Sequence, residues 1–99
     1  MTVLTRDQGC RRDLLWRLHL PRDEVAHLVS ALTRAGWEDR SMVPQVRDFE
    51  SDEGHSVVFV PRTGRIQIRV FYLTAHAKRE GVAHKVEAQI RAALAARTG

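Results

Sequence analysis

The 99 residues predict an α+β fold: a two-layer sandwich in the order strand, helix, three strands, helix, with a mainly antiparallel four-stranded sheet and both helices on one face. Three observations carry this. Residues 55–73, HSVVFVPRTGRIQIRVFYL, hold two β-branched, aromatic-rich runs separated by Pro61-Arg62-Thr63-Gly64, a turn signal with Pro early and Gly late. Residues 13–20, DLLWRLHL, alternate with period two. Val82, Val86, Ile90, Ala93 and Leu94 recur at helical spacing.

Residues 1–12 show no periodicity and read as a flexible arm, leaving residues 13–97 as one domain. In the first strand Leu14, Trp16, Leu18 and Leu20 take one side, and Leu15, Arg17 and His19 the other. Pro21 opens a helix, where its missing N–H costs nothing, and Asp23 and Glu24 favour the positive end of the helix dipole. Val25, Leu28, Val29 and Leu32 form its apolar stripe, with Gly36 as the left-handed residue past its end and Trp37 folding back. Val43, Val46 and Phe49 suggest a strand that Pro44 confines to an edge or a bulge. Parity leaves open whether Phe49 or Val46 faces the core. Ser51-Asp52-Glu53-Gly54 then turns the chain into the hairpin.

An even loop over residues 61–64 sets Phe59 opposite Ile66, Val57 opposite Ile68 and Val58 beside Gln67. Ile66, Ile68, Val70 and Tyr72 then take the core side, while Arg65, Gln67, Arg69 and Phe71 face away. Residues 74–80 read as a connection into the last helix, where Glu87 and Arg91 are ordered for an i,i+4 pair. Ala88, Ala92 and Ala95 make a small-residue side open to a second helix or subunit.

With 43% hydrophobic and 28% charged residues, the chain falls among ordinary globular domains, and 99 residues leave room for one core. No apolar run reaches the roughly 18 residues of a membrane span, and no apolar leader appears at the start, so the expectation is a cytoplasmic protein without a membrane partner. One cysteine, Cys10, excludes an internal disulfide and a two-cysteine zinc site. The charge is uneven: six Arg against four acids in residues 1–35, two against six in 36–60, and eight Lys and Arg against two in 61–99. Such asymmetry points to an anionic partner for the C-terminal part.

No catalytic or metal constellation emerges. The five histidines form no i,i+4 pair, and HExxH, GxGxxG, P-loop and GxSxG patterns are all missing. Asp48 or Glu50 with His55 is the nearest approach to an acid/base pair. The expectation is therefore a non-enzymatic protein with no cofactor, no metal and no catalytic residue.

The uncovered sheet face is the stronger lead. It gathers Arg17, Arg65, Gln67, Arg69 and Phe71, and on the sequence reading no carboxylate. Arg binds phosphate through a planar fork, and Phe71 offers a ring for base stacking. His76, Lys78, Arg79 and Lys85 form a second basic group at the start of the last helix, where unbonded N–H groups favour phosphate. These nine residues are the expected nucleic-acid-binding site, with RNA favoured. The alternative is a homodimeric interaction domain that buries the same face, since Val58, Val60, Leu15 and Phe71 also make an apolar patch.

The element order is similar to that of the ribosome-hibernation factors, and its last five elements resemble the helix–three strands–helix order of double-stranded-RNA-binding domains. Both families place their helices on one side of a meander and carry basic residues near the last helix. The likeness is one of topology: the glycine and lysine-pair signature of the latter family is missing, with Lys78-Arg79-Glu80-Gly81 in its place.

Overall fold

A computed structural model of the chain describes residues 4–6 and 14–96. The elements are β1 (Thr5–Arg6), β2 (Leu15–His19), α1 (Arg22–Val25), α2 (Leu28–Arg34), β3 (Glu38–Asp39), β4 (Arg47–Glu50), β5 (Ser56–Phe59), β6 (Arg65–Arg69), a 3₁₀ turn (His76–Lys78) and α3 (Arg79–Ala96). The strands form one sheet in the order β1-β2-β6-β5-β4-β3, antiparallel at every pairing. The α+β class holds, but the four expected strands are flanked by two more. Each of these has only two residues, too short to show a period. Thr5–Arg6 comes from the stretch read as an arm; it pairs with β2, and Leu4 is buried in the core. Cys10, Arg11 and Arg12 lie outside the described residues.

The hairpin register is the expected one: Phe59 pairs with Ile66, Val57 with Ile68 and Val58 with Gln67. The β6–β2 pairing carries it across the sheet, with Trp16 opposite Ile68 and Leu18 opposite Ile66. Side chains directly opposite share a face. Trp16, Leu18, Ile66, Ile68, Val57, Phe59 and Phe49 therefore line one side, all buried. The helices supply Val25, Leu28, Ala31, Leu32, Val86, Ile90 and Leu94 to the same cluster. At roughly 1.5–3 kcal/mol for each fully buried large apolar side chain, this layer dominates the stability.

The first helix is broken where one continuous helix was expected: a turn at Ala26–His27 separates α1 from α2. Its end is as read from Gly36. The N–H of Gly36 donates to Thr33 and that of Trp37 to Leu32, with Gly36 at φ +92°. Pro44 does not interrupt a strand; it sits in the β3–β4 turn, closed by a bridge between Val43 and Val46. Phe49, not Val46, takes the core position. The last helix starts at Arg79, three residues before its apolar stripe. Ala83 and Ala93 meet the core, whereas Ala88 and Ala92 are exposed, so α2 does not cover the alanine side. Glu87 and Arg91 pair at 3.0 Å. No helix among the described residues is long and apolar enough to cross a membrane.

Candidate functional site

With the helices on one face, no described element covers the other, and the strand pairings fix what it carries. One row across the sheet reads Thr5, Arg17, Gln67, Val58, Asp48; the next reads Leu15, Arg69, Ser56, Glu50, Glu38. His19 and Arg65 pair at the end nearest the Pro61–Gly64 turn. Four expected site residues, Arg17, Arg65, Gln67 and Arg69, are thus brought together. The Arg69 Nε donates to Gln67 Oε1 at 3.0 Å, aligning that pair along β6.

The face is not free of carboxylates, and here the sequence reading is corrected. Because Phe49 points into the core, its neighbours Asp48 and Glu50 point outward, and Glu38 sits opposite Glu50. Arg40 draws Glu50 at 2.8 Å and Glu38 at 3.7 Å into a network at that edge. The Asp48 carboxylate is half-buried and has no ion pair among the described residues. The face is therefore divided across the strands into a basic half on β2 and β6 and an acidic half on β4 and β3.

In the basic half, at the end near the Pro61–Gly64 turn, lies an open groove of about 580 Å³. Arg17, His19, Arg65, Gln67, Val58 and Val60 are among its walls, and no described residue lining it is a carboxylate. The His19 Nε2 lies 3.3 Å from the Thr63 carbonyl, which can only accept, so a hydrogen bond there is donated from Nε2. The groove floor depends on the hairpin turn. Leu20 N–H donates to the Gly64 carbonyl at 3.0 Å, and Gly64 sits at φ +76° directly against the Leu20 backbone.

The second expected basic group is taken apart. Arg79 is half-buried and donates from Nε to the Thr74 carbonyl at 3.0 Å and from Nη2 to the Tyr72 carbonyl at 3.2 Å, so it fastens the loop after β6. Lys85 pairs with Glu53 at 3.1 Å. Lys78 and Arg79 N–H groups donate to Ala75 and His76 carbonyls in the 3₁₀ turn, which removes the unbonded helix terminus. His76 and Lys78 are exposed. This group leaves the far end of β6 toward the helix layer, so it does not continue the groove.

Phe71 is also not the ring expected. It is half-buried, its backbone N–H donates to His55 Nδ1 at 3.0 Å, and its ring covers Gly54, where a Cβ would come within 3.1 Å. The exposed aromatic at this end is Tyr72, 66% exposed and held edge-on to Phe71 with centroids 5.0 Å apart. His55 itself is buried, and burial pushes its imidazole below the ordinary histidine value, with Glu53 opposing and Lys85 adding to the shift. Its Nδ1 is occupied by Phe71, and Asp48 and Glu50 point out of the opposite face. The imagined acid/base pair does not assemble. Hydrogen bonds from Ser41 hold the Asp39 carboxyl below its ordinary value, with Arg47 adding. Among the described residues, no group of three His, Cys, Asp or Glu is placed to hold a metal.

Neither the protein-family models nor the curated proteins nor the solved structures give a match to this chain. The site therefore has to be read from its own chemistry. Sequence reasoning missed Thr5, Tyr72 and the three outward acids. Only the acids had a usable signal, in the alternation of residues 47–50 once Phe49 is placed inside.

Proposed function

We propose that this chain is a non-enzymatic binding protein that holds the phosphates of a nucleic acid, RNA foremost, on the basic half of its open sheet face. The observation that carries this reading is the groove whose walls include Arg17, His19 and Arg65 and, among the described residues, no carboxylate. Arg17 stands diagonal to Arg65 and Arg69 on the neighbouring strand, and an anion between these like charges lessens their repulsion. Arg65 and His19 stand directly opposite, with Arg17 and Gln67 in the next outward-facing row. A planar fork on a rigid strand suits phosphate oxygens, and the surrounding Val58 and Val60 offer apolar contact to a sugar or base. Arg69 extends the track along β6; Phe71, Arg79 and Lys85, committed within the fold, are no longer assigned to it.

The test is a titration of labelled single- and double-stranded RNA and DNA, with a basic protein of similar size as control. The expected result is affinity above the control, falling linearly with the logarithm of salt concentration. Binding no tighter than the control at any salt concentration overturns the reading.

A further inference from the structure

We infer that the open sheet face also pairs with a second copy of this chain, about a two-fold axis that runs parallel to the strands. The inference stands apart from the nucleic-acid reading, because it rests on the acidic half of the face as much as on the basic half.

Two copies that meet face to face through a two-fold axis have that axis in the plane between them. Only two directions keep the sheets aligned, as packed sheets prefer. An axis across the strands lays the basic half of one copy on the basic half of the other, setting Arg17, Arg65 and Arg69 against themselves. An axis along the strands, between β6 and β5, exchanges left for right. It lays β2 over the partner's β4 and β6 over the partner's β5.

The rows fix what then meets. Arg17 and Asp48 stand in one row on opposite sides of that axis, separated by Gln67 and Val58. Each copy's Arg17 therefore faces the partner's Asp48, and Gln67 faces the partner's Val58. In the next row Arg69 comes over the partner's Ser56, one strand from the partner's Glu50. Packed sheets lie about 10 Å apart, a gap that an arginine and an aspartate span together. Asp48 is half-buried and has no ion pair among the described residues, so an arginine from a second copy gives it one. The apolar positions Val58 and Val60 lie between the charged halves, the arrangement of an interface with a polar rim.

The face is small. Six strands at about 4.8 Å spacing and about 15 Å of strand length give a few hundred Å² per copy. That belongs to the weak end of specific interfaces, so association is expected at high protein concentration and low salt. Face-to-face packing places the groove beneath the partner, so self-association and polyanion binding exclude each other.

The experiment is sedimentation equilibrium of the full chain at several hundred micromolar, at low and high salt, on wild type, Asp48→Arg, Arg17→Asp and an equal mixture of the two variants. The wild type is expected to dimerise at low salt and dissociate as salt rises. Each single variant opposes like charges at both symmetric contacts and is expected to weaken the dimer at least tenfold. The mixture restores opposite charges at both contacts, so it is expected to form heterodimers at wild-type strength. A monomeric wild type, variants that dimerise unchanged, or a mixture no stronger than its components each overturns the inference. Circular dichroism confirms folding of the variants. If Asp48→Arg does not fold, Asp48→Asn must still weaken the wild-type dimer at low salt, and an unchanged dimer overturns the inference equally.

Discussion

Gly64 holds the end of the groove, and Gly64→Ala should cost more than the same change at Gly36. Both glycines have positive φ, +76° and +92°, where an L-residue loses about 1–2 kcal/mol. At Gly36 an added Cβ meets open space, so the backbone term is the whole effect. At Gly64 the Cβ would fall well inside contact distance of the Leu20 carbonyl oxygen, an atom of the backbone that cannot swing away. Relief requires the turn and the end of β2 to part, which breaks the Leu20 N–H to Gly64 carbonyl bond, worth a further 0.5–1.5 kcal/mol or so. The expected total is about 1.5–3.5 kcal/mol for Gly64→Ala against about 1–2 for Gly36→Ala. At roughly 4–8 °C per kcal/mol for a domain of this size, thermal unfolding should separate the two melting temperatures by about 2–12 °C. Equal shifts would refute the reasoning, because they would mean that the hairpin turn does not press on the end of β2.

The register of β6 is checked by neighbours. Ile68→Asp should unfold the protein or lower its melting temperature severely, because it puts an unpaired carboxylate in the core, while Gln67→Asp should cost far less. Phe71→Ala should destabilise by about 1–3 kcal/mol, since the ring covers Gly54 and braces Tyr72. A base-stacking role alone would leave the melting temperature unchanged. Stability should also depend on pH through His55. Burial lowers its folded pKa, so the unfolded chain takes up the proton more readily. The stabilisation is complete above the unfolded value of 6.5 and is lost as pH falls through the folded value. Urea midpoints from pH 8 to pH 5 should show this decline, and His55→Asn, which keeps an acceptor near Phe71 N–H without titrating, should flatten it.

What could be read from the sequence was what repeats. The alternation in β6 and the stripe in α3 each have enough residues to set a face, and the hairpin loop then fixes its own register. β1 and β3 could not be read, because two residues carry no period and pairing alone makes them strands. The charged surface was legible only locally. Arg65, Gln67 and Arg69 belong to one alternating strand, so their shared face follows from it. Arg79 looked equally available, but its partners are backbone carbonyls of a loop whose path depends on Phe71 docking beside His55. Lys85 is neutralised by Glu53, 32 residues away, a distance over which local spacing says nothing. The acids of the open face were hidden by the unresolved choice between Val46 and Phe49, and a single parity error turns every charge on β4 to the wrong side.

The central claim is that Arg65 contacts phosphate in a defined groove, as distinct from contributing to net charge. The most direct measurement compares the salt dependence of RNA binding for wild type, Arg65→Ala and Arg34→Ala. Arg34 is exposed on α2 in the helix layer, so its removal changes the net charge equally but leaves the groove intact. The account predicts that Arg65→Ala flattens the plot of log affinity against log salt by about 0.7 for a single strand, or about 0.9 for a duplex, while Arg34→Ala leaves the slope at the wild-type value. Equal slopes for the two variants would contradict it.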